Sequence, residues 1–152
     1  MTKAMTTWVL LASRTRARIF ERRGRLLTSV RTLEHPQGRI ADQDIDPNRS
    51  RRTFDSHARG HSGERSPHEN SAMRFSKTLA DTLRTGRVES RVDRFVLVAE
   101  PHFLGLLNKE LDHTTASRVV ASISKELVAE DVDVIQVAIN EALSELDRVS
   151  VV

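Results

Sequence analysis

Residues 6–33, TTWVLLASRTRARIFERRGRLLTSVRTL, contain three runs of strand-like composition separated by two short polar connections. The first run, at 6–12, is continuous and apolar, and the second, at 16–21, alternates between arginine and apolar residues. The third run, at 26–33, follows the turn signal Arg23-Gly24. Connections this short join antiparallel neighbours, because parallel strands need a crossover of about a dozen residues or more. The stretch therefore predicts an antiparallel meander.

A helical pattern begins farther along the chain, at Ser66-Pro67-His68-Glu69. Ser66 suits the N-cap, Pro67 suits the first helical position, and Glu69 completes a capping box. Apolar residues then recur every three to four positions, at Ala72, Phe75, Leu79 and Leu83. This spacing predicts an amphipathic helix. We expect it to end near Gly86, because glycine is common at the position that follows a helix.

The remaining patterns alternate between strand and helix. The continuous apolar run at 95–99 predicts a buried central strand, and Pro101 opens a short helix. Residues 118–123 predict a fifth strand. Residues 132–146 predict a final helix whose apolar face holds Val134, Ile135, Ala138, Ile139, Ala142, Leu143 and Leu146.

A meander followed by two αβ units predicts an α/β fold. The element order is β1-β2-β3-α-β4-α-β5-α, which is that of a ribonuclease H-like mixed five-stranded sheet. Right-handed crossovers would place helices on both faces of this sheet. A long loop would follow strand 3, and we expect residues 1–152 to form a single domain.

The composition is that of a protein from a reducing compartment. The chain of 152 residues has no cysteine, which excludes a disulfide framework, a thiolate nucleophile and a Cys-type zinc site. No apolar run approaches the ~20 residues that cross a bilayer, and none is as long as a signal-peptide core. We therefore expect a cytoplasmic protein that binds no cofactor and does not insert into a membrane.

Positive charge is concentrated in the first half of the chain. Residues 1–66 hold 14 basic and 7 acidic residues, a balance of +7, and Lys3 is the only lysine among them. Residues 67–152 hold 10 basic and 14 acidic residues, a balance of −4, which together gives the net charge of +3. Arginine forks match phosphate and carboxylate, so this bias indicates a phosphate-binding or RNA-binding face. An arginine preference of the genome is the alternative explanation.

Residues 35–65 make up the predicted long exposed loop. Apolar periodicity nearly disappears there, and a loop of this length in a compact domain is usually functional or disordered. Arginine would contact phosphate, a phenyl ring would stack on a base, and glycine would allow close approach of the backbone. The candidate residues for binding RNA or a protein partner are Arg49, Arg51, Arg52, Phe54, Arg59, Gly60 and Gly63. Five acidic residues of the loop nearly cancel its charge, so a salt-bridged surface is the competing interpretation.

Catalytic constellations are incomplete in this sequence. The first strand has no acid, so a two-metal nuclease would lack its bridging carboxylate, even though Glu100 and Asp81 are available elsewhere. There is no G-x-S-x-G nucleophile elbow and no Walker-type phosphate loop. His57 and His61 have a spacing that chelates zinc on a helix, but without HExxH they are more simply solvated loop histidines. We predict no metal site and keep these two histidines as candidate catalytic residues.

Several segments together resemble the bacterial host-attachment protein family, and the resemblance spans nearly the whole chain. The quoted segments are Trp8-Val9-Leu10-Leu11-Ala12, Arg16-Ala17-Arg18-Ile19-Phe20, Leu33-Glu34-His35-Pro36-Gln37-Gly38-Arg39, Asp44-Ile45-Asp46 with Arg51, Arg52 and Phe54-Asp55-Ser56, Phe95-Val96-Leu97-Val98-Ala99-Glu100-Pro101, and Phe103-Leu104-Gly105-Leu106-Leu107. The family takes its name from proteins required for bacterial attachment to host cells.

The resemblance implies a fold similar to the central domain of archaeal and eukaryotic peptide-chain release factors. In release factors an exposed loop carries Gly-Gly-Gln, and the loop from His35 to Arg65 would occupy the equivalent place. No Gly-Gly-Gln occurs in this sequence, because His61-Ser62 separates Gly60 from Gly63. Peptidyl-tRNA hydrolysis in the release-factor manner is therefore not expected, whereas a role at the ribosome is compatible with the resemblance.

Three hypotheses follow from the sequence. The first is a non-enzymatic interaction module that binds RNA, as tRNA or in the ribosome, or a protein partner through the arginine-bearing loop. The second is a hydrolase of peptidyl-tRNA or another ester, with His57 or His61 as general base and the Gly60 or Gly63 amides as oxyanion donors. The third is a regulatory protein on which attachment to host cells depends indirectly. The sequence leaves the oligomeric state open.

Overall fold

The computed structural model describes residues 5–35 and 67–150. The elements are β1 (Thr7–Ala12), β2 (Arg16–Arg23), β3 (Leu26–Glu34), α1 (Pro67–Glu89), β4 (Arg94–Val98), α2 (Pro101–Glu110), α3 (His113–Ala116), β5 (Val119–Ile123) and α4 (Val132–Ser150). This order confirms the sequence prediction, with one additional short helix, α3.

The five strands form one mixed sheet in the order β3-β2-β1-β4-β5. β1 pairs with β2 in antiparallel register, with Leu10 opposite Ile19, and β2 pairs in the same way with β3. β1 also pairs in parallel with β4, and β4 with β5. The meander and both crossovers are therefore as predicted, and the ribonuclease H-like α/β sheet is confirmed.

Helices cover the two faces of the sheet with separate apolar cores. Leu10, Ile19 and Leu97 belong to the core under α1 and α2. We call this side of the sheet the first face and the opposite side the second face. Val9, Phe20 and residues of α4 form the core on the second face. β1 reads as one uninterrupted apolar run because both of its faces are buried along its whole length.

The predicted end of α1 at Gly86 is wrong, because the helix continues to Glu89. A Cβ atom on Gly86 would lie 2.3 Å from Cζ3 of Trp8, so the glycine makes room for that indole ring instead of terminating the helix. The helix ends three residues later, at Glu89. Ser90 and Val92 both donate backbone hydrogen bonds to the Gly86 carbonyl, and Arg91 adopts the left-handed region at φ 54°.

Two features of the helices differ from the sequence prediction. α3 was missed because its four residues carry no apolar periodicity; Asp112 caps it by accepting a hydrogen bond from the Thr115 amide at 3.2 Å. On α4, the predicted apolar face is too wide, since Val134 is 48% exposed and Leu146 is 43% exposed. Within residues 132–146 of α4, Ile135 and Ile139 are the side chains that are fully buried against the sheet.

Candidate nucleic-acid interface

The predicted partner-binding residues all lie in the connection between β3 and α1. This connection, residues 36–66, falls outside the described residues. The set comprises Arg49, Arg51, Arg52, Phe54, Arg59, Gly60 and Gly63, together with the candidate catalytic residues His57 and His61. Their roles therefore stay predictions, and the described site consists of the residues that hold the two ends of the connection.

His35, the last residue before the connection, is fixed from three sides. Its amide donates to the Thr15 carbonyl at 2.9 Å, its Nε2 lies 2.9 Å from Oγ of Ser71, and its ring stacks on Phe75 with centroids 4.8 Å apart. The residue is only 9% exposed. Burial lowers the pKa of His35, a hydrogen bond to the Ser71 backbone opposes this, and Arg74 lowers the pKa further. His35 is thus a buried anchor for the start of the connection.

The anchor brings the two ends of the connection together. Ser71 lies in the first turns of α1, only four residues after Pro67. The 31 residues from 36 to 66 therefore leave and re-enter the described structure at one place. Two exposed arginines lie beside this place, namely Arg16 at the start of β2 and Arg74 on α1.

A histidine–glutamate pair joins the first turns of α1 and α2 at the same end of the sheet. Nε2 of His102 lies 2.7 Å from Oε1 of Glu69. Sequence spacing could not reveal this pair, because the partners are 33 residues apart. The capping role predicted for Glu69 depends on Ser66, which lies outside the described residues.

The carboxylates considered for a nuclease are engaged in other contacts. Glu100 caps α2, accepting from the amides of Phe103 at 2.7 Å and His102 at 3.1 Å. Asp81 pairs with Arg84 on α1 at 2.9 Å. Among residues 5–35 and 67–150, no three His, Cys, Asp or Glu side chains come together as a metal site would require.

Two arginines of β2 bind α4 and its preceding loop. Nη1 of Arg18 donates to the carbonyls of Val128 at 3.1 Å and Glu130 at 2.8 Å. Nε and Nη2 of Arg22 donate to Oδ1 of Asn140 at 3.3 and 3.0 Å. Sequence reasoning assigned the arginine bias to phosphate binding or to genome composition, and it missed this structural use. The contacts span more than 100 residues, so no local pattern indicates them.

In the described part of the chain, no helix is both long and apolar enough to cross a membrane. No curated protein matches the chain. One solved structure that matches the chain is described as an archaeal protein. It has 12% identity and a TM-score of 0.44, and the match covers 96% of this chain and 39% of that one.

A second similar structure is that of an archaeal translation termination factor, with 12% identity, a TM-score of 0.39, and coverage of 96% of this chain and 40% of the other. This chain thus spans about two fifths of the length of either structure. A sequence match extends over residues 8–139 to a family described as "Protein required for attachment to host cells". Since the match includes most of the chain, this chain belongs to that family.

Proposed function

We propose that the chain is a non-enzymatic interaction module that binds RNA, as tRNA or within the ribosome, through the arginines of residues 35–65. The observation that carries the proposal is the contact between His35 and Ser71, which fixes both ends of the connection at one place on a rigid sheet. Six arginines belong to the 31 residues in between: Arg39, Arg49, Arg51, Arg52, Arg59 and Arg65.

The position of the anchor supports this proposal. In open α/β sheets, ligands bind outside the carboxyl ends of the parallel strands, next to the point where the strand order reverses. β1 and β4 are parallel neighbours, and α2 starts directly after β4 at that end. The contact between His102 and Glu69 links α2 to the start of α1, and therefore to the point where the connection ends.

The composition of the connection favours RNA binding by individual hydrogen bonds and stacking contacts over long-range attraction by net charge. Its six arginines are opposed by five acidic residues, Asp42, Asp44, Asp46, Asp55 and Glu64. A local balance of +1 attracts a polyanion only slightly at long range. Bidentate hydrogen bonds from arginine to phosphate, and stacking of Phe54 on a base, would then supply the affinity. Gly60 and Gly63 would let the backbone approach the RNA closely.

Sedimentation through a sucrose cushion with ribosomes, and filter binding with tRNA, test the proposal at about 50 and 200 mM salt. We expect binding that weakens at the higher salt. The variant R49A/R51A/R52A/R59A should lose at least about tenfold in affinity, because four phosphate contacts disappear.

The matched control is R84A/R91A/R94A/K109A, which removes the same charge from exposed positions on α1, β4 and α2 and the turn between α1 and β4. We expect it to keep its affinity within about threefold. Absence of binding at low salt would contradict the proposal, because phosphate contacts are strongest there. Equal losses of affinity in the variant and the control would mean that net charge alone explains the effect. The assignment of RNA binding to the connection would then be wrong.

A further inference from the structure

The β2–β3 ribbon, residues 16–34, forms one edge of the sheet, and its outer strand, β3, is largely exposed. β3 has an exposed stretch from Thr28 to Thr32, and Leu26 near its start is 62% exposed. By contrast, β1 is buried at every position. The ribbon thus presents an open strand surface to solvent.

This ribbon is strongly basic. It holds six arginines, Arg16, Arg18, Arg22, Arg23, Arg25 and Arg31, against two acids, Glu21 and Glu34, for a net charge of +4. Arg18 and Arg22 turn to the second face and bind α4 and its preceding loop. Burial and then repulsion from Arg16 lower the pKa of Arg18, and Asp131 opposes them.

Three of the arginines are exposed, and two of them lie on the first face. Arg31 lies opposite Ile19, whose side chain is in the first core, so Arg31 shares that face. Arg23 is four residues from Ile19 along β2 and therefore points the same way. Arg25 lies in the turn between the strands, where it lines a surface depression together with Glu141 and Glu145 of α4. The side chains of Arg25 and Arg31 have no ion pair or hydrogen bond with any residue of 5–35 or 67–150, and Arg23 holds an exposed pair with Glu21 at 3.0 Å.

The spacing and the neighbours of these arginines fit a phosphate backbone. Arg23 and the position opposite Arg31 are four strand residues apart, about 13 Å. Thr28, opposite Glu21, lies between them on the same face. Arginine with serine or threonine hydroxyls is the usual set of contacts to phosphate and sugar.

We infer that the exposed surface of the β2–β3 ribbon, through Arg23 and Arg31 on the first face and Arg25 in the turn, is a second contact surface for the phosphate backbone of bound RNA. This inference rests on the proposed RNA binding but uses only described residues. An anionic membrane is a poorer fit, because the exposed apolar residues of the ribbon are only Leu26 and Val30. Membrane-surface segments combine cations with several large apolar or aromatic side chains.

The test is fluorescence anisotropy with a labelled single-stranded RNA of about 20 nucleotides, longer than a single-strand site of about 4–16 nucleotides. The variant R23Q/R25Q/R31Q should bind at least about tenfold more weakly at 50 mM salt. The slope of log affinity against log salt should shrink by about 2, because each phosphate contact on a single strand contributes about 0.7. The control R84Q/R91Q/R94Q loses the same charge elsewhere and should keep the slope of the unmodified protein.

Two further variants show whether the arginines contact RNA or only maintain the structure of the ribbon. The Arg→Lys version of the ribbon triple variant keeps the charge and should retain most of the affinity. Glu21→Gln frees Arg23 from its pair and should raise the affinity by about two- to fivefold, the range that a surface pair withholds. Circular dichroism of each variant verifies that the sheet is intact.

The outcomes distinguish this inference from the proposed function. If the ribbon variant binds like its control while R49A/R51A/R52A/R59A loses binding, the ribbon inference is overturned and the proposed function stands. If only the ribbon variant loses binding, the ribbon is supported and the assignment to the connection fails. If the unmodified protein binds no RNA, or binds only vesicles of phosphatidylcholine and phosphatidylserine, both are overturned.

Discussion

The two halves of the sheet differ in burial although they belong to one continuous sheet. β1 and β4 are covered on both faces, and their cores hold apolar side chains such as Leu10 and Leu97. In the β2–β3 ribbon, β2 is buried at Ala17, Ile19 and Phe20, whereas β3 exposes most of its residues. The central half supplies the buried apolar core, and the ribbon supplies positive charge. Substitutions in the central half should therefore change stability, and those in the ribbon should change binding.

The largest effect on stability is expected when a leucine of the central half is replaced by alanine, compared with the same substitution in the ribbon. Leu97→Ala removes a side chain that is 0% exposed, and we expect a loss of about 2–5 kcal/mol in the free energy of unfolding because a cavity remains. Leu26→Ala, the same substitution on the ribbon, should change it by less than about 0.5 kcal/mol. Urea denaturation measures both, and similar losses would break the comparison.

The next effect concerns two helical glycines. Gly86→Ala places a methyl group against the ring of Trp8 and should destabilise the protein by about 1–3 kcal/mol through overpacking. Gly105→Ala is the control, since nothing lies within 4 Å of an added Cβ atom in α2. It should stabilise by about 0.5–1 kcal/mol, because alanine is the better helix former. A neutral Gly86→Ala would contradict the explanation given for the course of α1.

These two glycines also illustrate what the sequence could predict. The meander and the αβ units were predictable, because strand runs, short turns and apolar helical spacing are local signals. The contact of Gly86 with Trp8 joins residues 78 positions apart, so a glycine that suited a helix end was assigned to one. The pair of His102 and Glu69 is equally non-local. The arginine bias indicated a basic face, but only the register of β2 separates Arg18 and Arg22 from Arg23.

A smaller effect is expected where α4 meets the ribbon. Asn140 accepts hydrogen bonds from Arg22 and donates to the Arg25 carbonyl at 3.0 Å. Asn140→Ala should cost about 1–2 kcal/mol of stability, because these groups lose their partner. Glu141→Ala, on the adjacent exposed position, should cost less than about 0.5 kcal/mol. If Asn140→Ala also leaves the thermal midpoint unchanged, the ribbon is held by other contacts.

The smallest effect is expected from acid. Because the pKa of His35 is lowered in the folded state by burial and by Arg74, with the Ser71 hydrogen bond opposing them, the unfolded chain binds the proton more readily. The contribution of His35 to stability is present above about pH 6.5, the unfolded value, and is lost as the pH falls from there through the folded pKa. His35→Gln, which cannot titrate, is the control. Thermal midpoints measured between pH 8 and 5 should fall more for the unmodified protein, and parallel curves would refute this role.

The most direct test of the division between fold and binding is hydrogen–deuterium exchange with and without the labelled RNA. We predict that RNA slows exchange in peptides covering residues 16–34 and 35–65 and leaves peptides from β4 and α2 unchanged. Slowed exchange confined to β4 and α2, or none anywhere at a saturating RNA concentration, would contradict the account.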